Sequence, residues 1–103
     1  MNERLMDVLE YRVVLGVLVT SLDGLVVAHA GLGPEDAEML AAASAAQPTD
    51  DAYSSDTTRG GILHILRGDD MRLIVLTEPD VPTQAIATMM QQELSALEAS
   101  IAV

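Results

Sequence analysis

The side chains that most often do chemistry in proteins are few in this chain and lie far apart along it. The only histidines are His29 and His64, and each falls in an apolar run typical of a strand. A protein metal site needs several ligands that converge on one point. Two separated histidines therefore predict structural or surface roles, and we expect no metal and no cofactor.

Paired acids and serines are present, but their positions do not predict catalysis. Asp50 and Asp51 fall in a polar linker, and Asp69 and Asp70 in a predicted turn. Paired carboxylates act as acid and base only within a shared cleft, so turn acids are expected to be solvated. The serine pair at 54–55 has no neighbouring base and no nucleophile-elbow glycines. We expect no catalytic residue and no enzyme activity.

Absent residue types exclude two further kinds of site. The chain has no cysteine, which excludes disulfides, thiolate nucleophiles and thiolate zinc sites. It also has no lysine, and Gly60 and Gly61 are followed by isoleucine and leucine. A Walker A loop requires lysine and serine or threonine there. The chain is therefore not predicted to hydrolyse nucleotides.

Charge and hydropathy indicate a cytoplasmic protein. Sixteen acidic residues face only five arginines, a net charge of −11, so no basic surface is available for nucleic acid or anionic lipid. The apolar run at 13–19 is much shorter than the roughly 20 residues of a membrane span. The first residues lack the cationic start of a secretory signal. We expect no membrane insertion.

The 103 residues predict one small domain, 1–103, that associates with itself. A domain of this size buries only roughly two-thirds of the surface of its unfolded chain. Half of the residues are nevertheless apolar. Apolar surface that the domain cannot bury is usually covered by a partner, so we expect a homo-oligomer.

Residues 13–30 organise the predicted fold as two apolar strands, near 13–21 and 25–30, joined at Asp23 and Gly24. An Asp-Gly pair between β-branched runs predicts a tight primed turn, in which both residues have positive φ. Strand alternation points Val17 and Val19 to one face and Val14 to the other. Both faces are apolar, which predicts a central strand covered on both sides.

The remaining patterns complete an α+β fold. They predict an edge strand at 52–57, strands at 62–67 and 71–77, and helices at 2–10, 34–46 and the C-terminus, where Ile86, Met90, Leu94, Leu97 and Ile101 form an apolar stripe. The order is α-β-β-α-β-β-β-α, with a mostly antiparallel five-stranded sheet between helices. The two most apolar strands, 13–21 and 71–77, are expected to lie side by side.

The helix at 34–46 is the element that most strongly suggests association. Beyond its acidic first turn it is non-polar nearly all round. One face carries Ala37, Leu40, Ala41 and Ser44, and the opposite face carries Met39, Ala42, Ala43 and Ala46. If the sheet covers the first face, a second copy of the helix covers the other. The alternative is a helix buried wholly within its own subunit.

Four stretches in this order resemble a roadblock domain of the dynein light chain and MglB-type family: GVLVTSLDGLVVAHAG, AEMLAAASAA, LHILRGDDMRLIVLTEP and a closing amphipathic helix. The resemblance covers nearly the whole chain. It implies a profilin-like or roadblock sandwich and a homodimer in which middle helices pair and edge strands join, which adds Tyr53, Ser55 and Thr57 to the interface. It also implies a non-enzymatic partner of small Ras-like GTPases.

Three functions follow as hypotheses. In the first, the homodimer docks a small Ras-like GTPase and shifts its switch loops, with Glu35, Asp36, Glu38 and Met39 as contacts. In the second, the chain is a dimerisation or scaffold module of a signalling complex with no direct GTPase contact. The third is a small-ligand sensor in a profilin-like or PAS-like sandwich; the two tyrosines, Tyr11 and Tyr53, are few aromatics for such a pocket.

Overall fold

The computed structural model describes residues 13–46, 52–58 and 61–101, which form one antiparallel sheet and two helices. The predicted α+β class is confirmed. The helix predicted at 2–10 lies outside the described residues. The elements in chain order are β1 (Val14–Ser21), β2 (Val26–Ala30), α1 (Pro34–Ala46), β3 (Tyr53–Thr58), β4 (Gly61–Arg67), β5 (Met71–Thr77) and α2 (Thr83–Ile101).

The sheet order β2-β1-β5-β4-β3 places the two most apolar strands at its centre. β1 and β5 pair directly, with Val17 opposite Val75 and Leu18 opposite Ile74, as predicted. Residues 17–19 and 73–75 are fully buried because helices cover both faces of these strands. β3 lies at one edge, also as predicted, and β2 at the other.

Among the described elements, each face of the sheet packs against one helix. The apolar stripe of α2, including Met90, Leu94 and Leu97, packs against one face of the sheet together with residues such as Val17 and Val75. α1 contributes Ala37 and Ala41 to a smaller cluster on the other face with Leu18, Leu63, Ile65 and Ile74. The domain is therefore a helix–sheet–helix sandwich whose α1 layer is thin, since it is built from alanine.

Strand alternation in β1 is broken near its start, so one predicted orientation is wrong. Val14 packs in the same cluster as Val17 and Val19, on the α2 face, rather than opposite them. The pairing with β5 shifts between Val14 and Gly16, which leaves Leu15 as an extra residue that is 41% exposed. An inserted residue of this kind resets which face the preceding side chains occupy.

The β1–β2 turn also differs from the predicted primed turn. No described residue other than glycine has a positive φ, whereas Gly24 has a φ of 92°. The Gly24 N–H donates to Ser21 O at 3.1 Å, and the Ser21 N–H donates to Leu25 O at 2.9 Å. This is a three-residue loop that ends in a left-handed glycine. It avoids placing Asp23 in the left-handed region, which costs a residue with a Cβ more than glycine.

Gly24 gives a test of this turn. A Cβ added there would lie 2.8 Å from the Cβ of Ala45 on α1. We expect Gly24→Ala to lower the free energy of unfolding by about 1–3 kcal/mol, because alanine is strained at positive φ and collides with the helix. Urea denaturation followed by circular dichroism measures the change.

Gly33→Ser is the matched control. No heavy atom lies within 4 Å of a Cβ added at Gly33, and serine is favourable immediately before a helix. We expect this variant to keep or slightly raise the stability. An unchanged Gly24→Ala variant would contradict the turn geometry.

Candidate functional site

The outer side of α1 carries apolar side chains that the sheet does not cover. On the inner side, Ala37 and Ala41 are buried; on the outer side, Ala42 and Ala43 are exposed and Met39 is 62% exposed. The sequence predicts these sides for the residues named here; the side chain of Ala46, also predicted on the outer side, lies outside the described residues. We call Met39, Ala42 and Ala43 the outer face of α1. An exposed methionine beside two alanines forms a flat apolar surface that can approach another helix closely.

The start of α1 is strongly acidic. Pro34 occupies the first helical position, and the Ala37 N–H donates to Gly33 O at 3.0 Å. Glu35 and Asp36 lie in the first turn, where the helix dipole favours negative charge. Glu38 follows, and all three carboxylates are exposed. The four predicted partner contacts, these acids and Met39, therefore lie together along the first turns of one helix.

The predicted interface residues of β3 lie on the other side of the sheet from α1. Tyr53, Ser55 and Thr57 pair with Leu66, His64 and Ile62 of β4. Tyr53, Leu66 and Ile62 pack in the cluster that contains α2. Residues directly opposite on paired strands share a face, so the three β3 side chains point to the α2 side. What β3 presents beside α1 is the main chain of an edge strand.

His64 is buried within a directional chain of hydrogen bonds. Its Nδ1 lies 2.7 Å from the Tyr53 hydroxyl and its Nε2 lies 2.9 Å from Thr77 Oγ1. Thr77 Oγ1 donates its one proton to Glu78 O at 3.1 Å, so it accepts from the Nε2–H of His64. Nδ1 is then the acceptor, and Tyr53 donates to it. His64 has a structural role, in which it ties the edge strand β3 to β5.

Burial shifts the pKa values of two groups in this chain of hydrogen bonds, His64 and Tyr53. Burial lowers the pKa of His64 below its ordinary value of 6.5, because the charged imidazolium loses its hydration. Burial also raises the pKa of the Tyr53 hydroxyl, partly offset by its hydrogen bond with Ser55. The neutral forms of both groups are therefore favoured near pH 7.

The other predicted candidates do not converge. Asp69 and Asp70 are exposed at the β4–β5 turn, where the Asp69 N–H donates to Glu98 Oε1 at 3.1 Å. Asp50 and Asp51 lie outside the described residues. In the described part of the chain, no group of three or more histidines, cysteines and acids could hold a metal ion. Nor is any helix there long and apolar enough to cross a membrane.

An open cleft of about 340 Å³ between the β4–β5 turn and α2 was not predicted from the sequence. Residues distant in sequence line it, so no local motif indicates it. Its walls include Leu66, Gln91, Leu94, Ser95 and Glu98.

Comparison with known proteins identifies the fold. No protein-family model and no curated protein matches the chain. A solved Roadblock/LC7 domain from Streptomyces avermitilis has a TM-score of 0.88 at 15% identity, over 100% of this chain and 98% of that chain. Another from the same organism has a TM-score of 0.80 at 26% identity, over 92% and 95%. This chain has the roadblock fold. The predicted resemblance is thus confirmed.

Two further solved structures with a similar fold are of MglB. An MglB in a tetrameric arrangement has a TM-score of 0.69 at 18% identity, over 93% of this chain and 83% of that one. The gliding protein MglB from Thermus thermophilus has a TM-score of 0.62 at 19% identity, over 88% and 83%. At these identities the likeness is one of fold.

The buried His64 predicts that stability falls in mild acid. The unfolded chain takes up a proton on this histidine below about pH 6.5, where the folded chain resists it. We expect the free energy of unfolding to fall between pH 7.5 and pH 5.5, at up to about 1.4 kcal/mol per pH unit at its steepest. Urea titrations at several pH values measure the slope.

Two variants test whether His64 is the source of this pH dependence. His64→Gln should be less stable at pH 7.5 but should show a shallower slope. Tyr53→Phe should lose about 1–2 kcal/mol, because Nδ1 is left without a donor, and should keep the slope. A wild-type stability that does not change over this pH range would contradict the role of burial.

Proposed function

We propose that this roadblock domain is a homodimeric, non-enzymatic regulator or adaptor of the cytoplasm that binds a small Ras-like GTPase and modulates its switch state. The observation that carries the proposal is the outer face of α1. Its apolar side chains are exposed on a helix whose inner side is fully engaged with the sheet. Neither apolar face of α1 is then left in water once two copies pair.

The composition of this face favours a second copy of the same helix as its cover. Ala42 and Ala43 allow helix axes to approach to about 8 Å, the low end of the usual range, and Met39 adapts to an irregular contact. β3 supports the same arrangement, since its outer main-chain groups can continue the sheet into a second copy. A similar fold, MglB, has been solved in a tetrameric arrangement, which supports association between copies.

The acidic start of α1 supports a basic partner surface. In a pair of α1 helices, Glu35, Asp36 and Glu38 lie toward the rim, where they stay accessible. Residues 13–46 contain four acids and no lysine or arginine, so this rim is uniformly negative. Charge of one sign steers a partner of opposite sign and fixes its orientation. Regulation in this proposal comes from holding the switch loops in one state rather than from a donated catalytic residue.

A single cysteine on α1 tests the dimer. The chain has no cysteine of its own, so Ala43→Cys introduces one thiol per copy. We expect mild oxidation to link two copies through this thiol about tenfold faster than a collisional reaction, because paired helices hold the thiols near each other. Non-reducing gel electrophoresis against time measures the rate.

Ala99→Cys, on an exposed position of α2, is the matched control. We expect it to link only at the collisional rate. Equal rates for the two variants would contradict an interface on α1.

Binding to the GTPase is tested separately. We expect the host's Ras-like GTPase, loaded with GTP, to bind the wild-type chain, and the Glu38→Lys, Met39→Ala double variant to bind about tenfold or more weakly. Isothermal titration calorimetry measures the affinity, and phosphate release measures hydrolysis. Asp70→Lys, on the β4–β5 turn, is the charge-matched control and should bind normally.

The outcomes distinguish the two leading functions. Absence of binding at tens of micromolar, with an unchanged rate of hydrolysis, would contradict the GTPase proposal. A dimer that forms normally under those conditions would support the scaffold function instead.

A further inference from the structure

β2 is the second edge of the sheet, and no described strand pairs with its outer side. β2 and β3 lie at opposite ends of the order β2-β1-β5-β4-β3. A dimer that joins two copies at β3 and α1 therefore leaves both β2 edges open. Within its sequence, VVAHA, there is no lysine or proline to discourage pairing.

Exposed apolar side chains concentrate at this edge. Of the five large hydrophobic residues that are exposed in the described part of the chain, three lie in the β1–β2 turn and β2. Leu25 is 70% exposed, Val27 is 55% exposed and Leu22 is 40% exposed. Exposed apolar side chains beside an unpaired strand are typical of a docking site for another strand.

The main chain of β2 also presents free hydrogen-bonding groups. Residues of an antiparallel pair alternate between bonding their partner and pointing away from it. The Ser21 N–H bonds Leu25 O, so the next pairs that point away are Thr20 with Val26 and Leu18 with His29. The register shift between them leaves Val27 as an extra residue. Val26 and His29 therefore direct their N–H and C=O groups outward.

His29 provides an independent sign of a missing neighbour. Its Nδ1 is buried and has no hydrogen-bond partner within the described residues. His29 lies opposite Leu18, which packs on the α1 side, so its ring shares that side. A strand added along β2 would place one side chain directly opposite His29, with Cβ atoms about 5 Å apart. A hydroxyl or amide there could bond Nδ1.

The charge around β2 indicates which kind of added strand would bind there. Asp23 lies at one end of β2, and Glu35, Asp36 and Glu38 lie beyond the other end, at the start of α1. No lysine or arginine occurs between residues 13 and 46. A second copy of this edge would bring the same negative charge to the contact and be repelled. A basic segment would be attracted.

We infer that β2 is a docking edge for an extended segment of a partner protein in which apolar residues alternate with lysine or arginine. The segment adds a sixth strand to the sheet through Val26 and His29. Its apolar side chains cover Leu25 and Val27, its cations face the surrounding acids, and a hydrogen-bonding side chain lies opposite His29. Strand pairing at β2 does not rest on the proposed dimer, because β2 lies at the opposite edge of the sheet from β3. The acids at the start of α1 are shared with the proposed GTPase contact, and the peptide titration tests β2 without the GTPase.

A designed peptide tests the inference on the full chain. The probe is a nine-residue peptide of alternating valine and lysine with a central asparagine, and its counterpart has glutamate for each lysine. In a titration followed by ¹⁵N NMR, we expect the lysine peptide to shift the amides of β2 and the imidazole signals of His29. We expect slower amide exchange at Val26 and His29, and about tenfold weaker binding of the glutamate peptide.

Val27→Lys and Gln92→Lys are the matched variants. Both residues are exposed, Val27 on β2 and Gln92 on α2, so both variants should fold, which circular dichroism confirms. We expect Val27→Lys to weaken binding of the lysine peptide by about tenfold or more, because it replaces an apolar contact with a repelling charge. Gln92→Lys should bind within about twofold of wild type.

Three results would overturn the inference. Shifts confined to β3 or to α1 would place the binding site elsewhere. Equal affinity for the two peptides would remove charge as the basis of selection. Self-association that Val27→Lys abolishes, in the absence of peptide, would make a second copy the occupant of this edge.

Discussion

The pairing of β1 with β5 is the contact on which the rest of this structure depends. Both strands are apolar on both sides, so neither can lie at an edge without exposing a row of valine, leucine and isoleucine. Their pairing leaves one free edge on each, which β2 and β4 fill, and two apolar faces, which α1 and α2 cover. The positions of β2, β4, α1 and α2 thus follow from the edges and apolar faces of the β1–β5 pair that must be covered.

The two faces of the sheet are covered unequally, and the proposed function rests on this inequality. α2 packs long side chains onto its face of the sheet and exposes a polar side. α1 packs alanine onto the other face and exposes methionine and alanine. An apolar helix face of this kind is not stabilised by contact with water, whereas packing against a second helix at short distance would stabilise it. This composition is the basis for the proposed association between copies, and the exposed acids at the start of α1 are the basis for proposing a basic partner.

Features that depend on hydrophobic pattern were predictable from the sequence. The strands, their edge or central positions, and the two sides of α1 follow from runs and periods that each segment carries within itself. The predicted 34–46 helix ends where α1 does. Features that depend on pairing were not predictable. The extra residue at Leu15, the three-residue turn at Gly24 and the side to which Tyr53 points are set by the register with a neighbouring strand.

The same distinction applies to the candidate sites. The outer face of α1 is a single-helix property, and its residues could be named from the sequence. The chain of hydrogen bonds through His64 joins three strands, and the open edge at β2 exists only once the strand order is known. Neither has a local motif, because the residues that form them meet only in the folded sheet.

Our central proposal is that a second copy of this domain covers the outer face of α1. Sedimentation equilibrium of the wild-type chain at micromolar concentrations tests it most directly. The account predicts a mass of twice the 10.9 kDa of one chain. A mass of one chain across the micromolar range would contradict it.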